Sequence, residues 1–354
     1  MDFALEALGI DVVMSNDISE EATQTLKKYF SHSDVKKGDI REIQKFPSAD
    51  LLVGGYPCQS FSLGGRRAPS NDPRSYLYLE YARALAAIQP KFFVAENVSG
   101  MAGVEDGVWF KEQLRLFSGI GKGYLISHQL VNVQNYGVPQ KRKRIIIVGV
   151  RKDIGAKFEF PAHSHGAEKQ ILRNKKLKPY ASHGEAIKHL PLHPSGEYYE
   201  RPHDPTGHMS WYYMSRNRKA NWFEPSFCIV ANFRHITLHP ACQTMKLVWS
   251  NLKDGFKQKW EFSGEYEHTK IDPTLPVLEI PRRLSWREAA AIQTFPRKYE
   301  PVGDLERKFE QIGNAVPPLL FKKLIAGIKS GDALRSIDQL SAEEFVNQSD
   351  LFSI

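Results

Sequence analysis

From the first residue to about residue 160, short apolar runs alternate with amphipathic stretches, the pattern of a parallel sheet wrapped by helices. The runs predict strands at 12–14, 51–53, 92–95 and 145–150. In open α/β sheets ligands bind at the carboxyl ends of strands. The first three of these strands lead into Asp17, Cys58 and Glu96, so those side chains are expected on one rim.

Beyond about residue 165 the pattern changes. The segment "HSHGAEKQILRNKKLKPYASHGE" is polar and basic, and the chain after it is rich in Pro, His, Trp and Tyr, with no repeat or dominant helical period up to about residue 280. A smaller lobe of loops and short strands is expected there. Helix then returns. Ser285 and Glu288 have the S-x-x-E capping spacing ahead of an Ala-rich stretch that Phe295 and Pro296 stop, and an amphipathic helix is predicted over 318–328. The expected organisation is a first domain over 1–165, a second over 166–280, a return to the first over 281–330, and a polar tail over 331–354.

Composition narrows the class. The chain has 354 residues, 42% hydrophobic and 25% charged, enough for one large domain with a lobe or for two domains. No run reaches the ~20 apolar residues of a membrane span. The opening "MDFALEALGIDVV" lacks the basic start of a secretion signal, so an intracellular protein is expected. Cys58, Cys228 and Cys242 lie far apart without CxxC spacing, which argues against a zinc site or a disulfide framework and fits a cytosolic redox setting. His163 and His165 lack a third ligand at a fitting spacing and read as loop histidines, so no metal is expected.

Net charge is +8 and the pI is near 9.2, which suits a polyanionic partner. The basic clusters at 64–69, 140–144, 214–219 and 281–283 fall at element ends or in loops, where phosphate contact requires them.

The stretch "GGYPCQSFS" puts Cys58 on a sharp turn after a buried strand, where a thiol reaches a substrate, and Arg66, Arg67, Arg142 and Arg144 are cations that would favour its thiolate. A packed structural cysteine is the competing reading. Glu96, in "FFVAENVSG", follows four apolar strand residues, a costly place for a charge unless it is paired or sits at a rim. It reads either as a proton donor to a bound base or as a strand-end carboxylate capping the next helix. Asp17 and Asp39 suit a ribose hydroxyl and an adenine amino group respectively, and equally suit helix N-caps.

Taken in order, these blocks resemble the DNA (cytosine-5) methyltransferase family of bacterial restriction–modification systems. "GGYPCQSFS" is similar to its catalytic loop, "ENV" to its acid motif, "QKRKR" to its basic motif, "RRLSWREAAAIQTFP" to the helix after the recognition segment, and "QIGNAVPP" to its closing motif. The resemblance reaches to about residue 330. It implies a Rossmann-like α/β fold of the S-adenosylmethionine-dependent methyltransferases, a mixed sheet with helices on both faces, plus a smaller target-recognition domain. It also implies methyl transfer from S-adenosylmethionine to carbon 5 of a cytosine flipped out of duplex DNA.

In that reading Cys58 adds to carbon 6, Glu96 serves nitrogen 3, Arg144 holds the ring carbonyl and Arg142 supports the same pocket. The cofactor would meet Asp17, Ile18, Asp39, Ile40, Pro57, Leu77 and Asn314. Ser62, Arg66 and Arg67 would lie near phosphates in a loop closing over the base. The segment "YYMSRNRKANWFEPSFCIVANFRHITLHP" resembles the recognition segment of GGCC-type enzymes, which makes Arg216, Arg218 and Arg234 candidates for guanine contacts or for phosphate contacts.

The resemblance further implies a monomer acting on double-stranded DNA in the bacterial cytoplasm, with a cognate restriction endonuclease in the same system. The family opens with a strand and a Gly-rich FxGxG turn, whereas "MDFALEALGI" matches the segment just after that turn. A misplaced start, a truncated copy and a second polypeptide supplying the strand are the three explanations, and weakened cofactor affinity is the expectation for this chain. Two other classes remain: a non-catalytic DNA-binding protein of the same fold, and an RNA cytosine methyltransferase.

Overall fold

The computed structural model describes residues 1–56, 76–101, 107–200, 209–249 and 258–339. In chain order its first elements are α1 (Asp2–Glu6), β1 (Met14–Asp17), α2 (Glu20–Tyr29), β2 (Asp34–Lys37), β3 (Leu51–Gly54) and α3 (Leu77–Ile88). Next come β4 (Phe92–Val98), α4 (Val108–Gly119), β5 (Tyr124–Asn132), β6 (Lys143–Arg151), β7 (Ala156–Phe158), β8 (His165–Gly166), α5 (Glu168–Arg173) and β9 (Lys178–Pro179). The remainder runs α6 (His183–Ile187), α7 (Trp211–Met214), β10 (Met245–Trp249), β11 (Gln258–Phe262), α8 (Glu267–Ile271), α9 (Trp286–Ile292), α10 (Leu305–Asn314), α11 (Pro318–Ser330) and β12 (Leu334–Ser336). Two compact units emerge. One comprises Met1–Asn132, Lys143–Ala162 and Phe321–Ile354, the other Val133–Arg142 and His163–Leu320.

The first unit is built on a four-stranded sheet in the order β3-β4-β6-β5. Strands β3 and β4 run parallel, but β6 is antiparallel to both β4 and β5, so the sheet is mixed and not the parallel one that the alternation predicts. Alternation reports which segments are buried and carries no strand direction. Strands β4 and β6 read as near-continuous apolar runs because both of their faces are covered. Phe93, Tyr81, Phe117 and Tyr124 meet mostly edge to face beside the sheet, the arrangement that ring quadrupoles prefer.

Strands β1 and β2 form a separate parallel pair. The strand predicted at 12–14 begins two residues later, because Val12 and Val13 form the apolar lead-in and the ladder itself runs through polar Ser15, Asn16 and Asp17. Helix α2 follows β1 directly. Its N-cap Ser19 accepts from the Ala22 amide, and Glu20, Glu21, Lys27 and Lys28 sit at the ends where the helix dipole favours them.

The second unit has a core of Tyr213, Met214, Trp222, Leu238, Ala241, Cys242, Met245 and Leu278, with the antiparallel pair β10–β11 beside it. Its strands are short, as the sequence pattern predicts, although α5 to α8 add single turns of helix that the pattern does not reveal. Helix α9 begins as the capping spacing requires. Ser285 accepts from the Glu288 amide, and the Glu288 carboxylate accepts from the Ser285 amide. The chain turns at Thr294, whose φ of 68° lies in the left-handed region. Gly313 on α10 faces the backbone of Val230 and Ala231, where an added Cβ would lie 2.3 Å from the Ala231 nitrogen.

Candidate active site

In the first unit, Glu96 lies on β4, two residues before its end, and Arg144 lies near the start of the antiparallel β6. Arg144 stands opposite Val98, so Glu96 and Arg144 form a diagonal pair on one face. Arg144 Nε sits 2.7 Å from Glu96 Oε1, with the two side chains 16% and 10% exposed. The N–H is not aligned on that oxygen as a hydrogen bond, so the carboxylate keeps its accepting capacity while its charge is balanced.

Two neighbours fix this corner. A Cβ at Gly55 would come within 3.1 Å of Glu96 Oε2, which explains a side-chain-free residue directly after β3. Asn97 Nδ2 donates to the Tyr56 carbonyl, tying the end of β4 to Tyr56, two residues before Cys58 in sequence. Sequence reasoning missed Asn97, although "ENV" contains it. Cys58, Pro57, Ser62, Arg66 and Arg67 lie outside the described residues.

The two described cysteines have other duties. Cys242 is buried in the second unit's core, its thiol donates to the Arg282 carbonyl, and burial pushes its pKa up to about 11, which keeps it protonated. Cys228 Sγ lies 3.8 Å from an Arg142 guanidinium nitrogen and donates to the Ile229 carbonyl.

Asp17 closes β1 and Asp39 follows β2, so the two parallel strands carry their acids at the same end. Asp17 Oδ1 accepts from the Ser19 amide at 2.8 Å. Beside it Ile18 is 71% exposed, an aliphatic face turned to solvent. Asp39 caps a short 3-10 turn. Hydrogen bonds from the Arg41 guanidinium and amide hold its carboxyl down at about 2, so it is an anion throughout the physiological range. Ile40 offers its carbonyl to Arg83, which also donates to the Ile43 carbonyl and so braces this turn from α3. Arg41 and Arg83 carried no sequence signal. Leu77 opens α3, half-buried against the sheet-side core.

The second unit holds the remaining candidates. Arg142 is buried and donates to the carbonyls of Ile229 at 2.9 Å and Ala315 at 3.2 Å, which ties three distant segments together. Asn314 is the exposed last residue of α10. Arg216 and Arg234 are exposed, while Arg218 is half-buried with Nε donating to the Tyr213 carbonyl at 2.9 Å. His163 packs edge-on against Tyr136, and His165 opens β8.

Residues 1–330 match the model of the C-5 cytosine-specific DNA methylase family. The type II methyltransferase M.BspRI of Lysinibacillus sphaericus is 40% identical over 89% of this chain and 69% of its own length. M.BsuRI of Bacillus subtilis is 38% identical over 89% of this chain and 67% of its own. M.FnuDI of Fusobacterium nucleatum is 34% identical over 90% and 87% respectively. Among solved structures, a DNA modification methyltransferase encoded within an E. coli prophage superposes with a TM-score of 0.62 at 18% identity, covering 93% of this chain and 94% of that one. The S. pombe Dnmt2 methyltransferase gives 0.58 at 15% identity, covering 94% and 95%. At such identities these two matches establish the fold alone.

Proposed function

As a member of the C-5 cytosine-specific DNA methylase family, to which it belongs, this chain is a DNA cytosine-5 methyltransferase of the restriction–modification type, and we propose that its target is a cytosine in a GG-containing duplex site. The observation that supports the chemistry best is the Glu96–Arg144 pair. Carbon 5 of cytosine is a poor nucleophile until a thiolate adds at carbon 6. The Cys58 sulfur forms that bond as the 5,6 double bond opens, and the electron pair moves toward carbon 5 and the amidine edge of the ring. Glu96 meets nitrogen 3 and limits charge build-up there, while Arg144 donates to the ring carbonyl oxygen. Loss of the carbon 5 proton after transfer then expels the Cys58 thiolate.

S-adenosylmethionine, when bound, supplies an electrophilic methyl group on a sulfonium sulfur. The chain's own residues fit it. Asp17 and Asp39 are acceptors at the ends of two parallel strands, and Asp39 is a permanent anion able to share its lone pairs between Arg41 and an amino group. Ile18 and Ile40 flank them with aliphatic surface suited to a purine face, and Leu77, Pro57 and Asn314 complete the proposed set. Duplex DNA would be held by Ser62, Arg66 and Arg67, with Arg216, Arg218 and Arg234 reading guanines bidentately in the major groove. A cognate restriction endonuclease and monomeric action complete the proposal. Among the described residues no helix is long and apolar enough to cross a membrane, and no three potential metal ligands gather.

Labelled S-adenosylmethionine incubated with duplex DNA or with tRNA tests the reading. Label is expected at carbon 5 of cytosine in the duplex and absent with Cys58→Ala. Label that survives in that variant removes Cys58 from its role, and label on tRNA alone replaces the substrate.

A further inference from the structure

Two of the candidate reading arginines are joined by an unbroken chain of aromatic and guanidinium groups. The Arg218 guanidinium lies 4.7 Å from the Tyr213 ring centre, and the Arg283 guanidinium lies 4.1 Å from the same ring. Arg283 also lies 5.0 Å from the Tyr199 ring. Tyr199 meets Phe233 edge to face, with centroids 5.1 Å apart at 88°, and the Arg234 guanidinium lies 5.4 Å from the Phe233 ring. The order is therefore Arg218, Tyr213, Arg283, Tyr199, Phe233, Arg234.

Arg283 is the middle of this chain and its anomaly. It is only 6% exposed, and among the described residues no carboxylate pairs with it. A buried cation without an anion is expensive, and two ring faces are what offset its desolvation. Only a planar guanidinium serves two rings at once, so neither a lysine nor an apolar side chain would replace it. The backbone is fixed as firmly. Arg283 forms an antiparallel bridge with Leu238, whose amide donates to the Arg218 carbonyl at 2.9 Å. Tyr213 is anchored in turn by its hydroxyl, which donates to the Ile236 carbonyl at 2.6 Å. The His235 ring, already pushed down by burial, is pushed further by the charges of Arg218, Arg283, Arg216 and Arg234, which places four guanidiniums around one imidazole.

We propose that Arg283 is a positioning residue for sequence readout: wedged between Tyr199 and Tyr213, it sets the spacing of Arg218 and Arg234, so that guanine discrimination depends on a side chain that does not touch DNA. This rests on the reading of Arg218 and Arg234 as base contacts.

The test uses the full chain, a duplex library randomised around a central cytosine, and bisulfite sequencing after methylation. Arg283→Met, Arg283→Lys and Tyr199→Leu are compared with the wild type, with thermal unfolding as the control for folding. Each variant that folds is expected to lose guanine preference at the flanking positions by about 10-fold. The slope of log affinity against log salt, and kcat on saturating preferred duplex, are expected to stay at wild-type values. Unchanged preference in the folded variants overturns the proposal. A fall in the slope of about 1 also overturns it, because Arg283 would then be a phosphate contact. A wild-type preference without guanine instead overturns the guanine reading of Arg218 and Arg234, and the positioning role then stands or falls on whether the variants flatten the preference that is seen.

Discussion

Glu96 is a charged side chain at the inner end of an apolar strand, and its energetic cost makes it informative. Arg144 offsets that cost from the adjacent strand, and the pair is legible in sequence only as two separate motifs, "ENV" and "QKRKR". What brings them together is an antiparallel register, which no local pattern encodes. Gly55 shows the same limit. Sequence reads it as part of a turn, whereas its neighbour in space is the Glu96 carboxylate. If Glu96 serves nitrogen 3, Glu96→Gln is expected to lower the single-turnover methylation rate by about 10²–10⁴-fold. Affinity for duplex DNA is expected to change little, since the side chain is buried. Rapid-quench kinetics beside a binding titration separate the two quantities, and a variant that transfers at the wild-type rate removes Glu96 from the chemistry.

Elements with local signals were readable, and those held by distant partners were not. Helix α9 announces itself through Ser285 and Glu288, because a capping box is a contact within one turn. Strand β2, "DVKK", has no apolar pattern, and β5, "YLISHQLVN", is interrupted by the polar Ser127, His128 and Gln129, so both escape a reading based on apolar runs. The same distinction separates two buried ionisable groups of the second unit. Burial pushes Glu288 up, yet its partners outweigh this and hold it at about 2; the bidentate Arg282 is the lasting cation, since the His239 ring is itself pushed down by burial.

His183 has no carboxylate partner among the described residues, and the hydrogen bond to the Glu224 carbonyl does not outweigh its burial. Burial depresses it to about 4, and its Nδ1 donates to the Glu224 carbonyl as a neutral ring. Because the folded pKa lies below the unfolded value of 6.5, the unfolded chain binds the proton first. Stability is full above pH 6.5 and falls as pH drops from there to about 4, by about 3 kcal/mol in total. Denaturant titrations at pH 7 and pH 4.5 are expected to show this loss, and His183→Gln is expected to reduce it. An equal loss in both proteins would place the acid sensitivity elsewhere.

At the scale of the whole molecule, the net charge of +8 overstates the surface that faces a polyanion. Several members of the basic clusters are structural. Arg142, Lys219, Arg282 and Arg283 are each no more than 6% exposed, and Arg282 is neutralised by Glu288. Lys143 and Arg216, from the same clusters, are exposed, and no carboxylate among the described residues pairs with them. Counterion release responds only to cations that reach phosphate, so burial sorts these residues before any complex is formed. Neutralising Lys143 to Gln, if it meets a phosphate, is expected to reduce the slope of log affinity against log salt by about 1. Arg142→Gln and Arg282→Gln are expected to leave the slope alone and to lower the unfolding midpoint instead, since the first loses carbonyl partners and the second leaves a buried carboxylate unpaired, at about 3–5 kcal/mol. Fluorescence anisotropy from 50 to about 200 mM salt resolves slopes of this size. If all three variants lower the slope equally, the charge acts as an undivided field, and burial does not distinguish the cations that bind DNA from those that hold the fold.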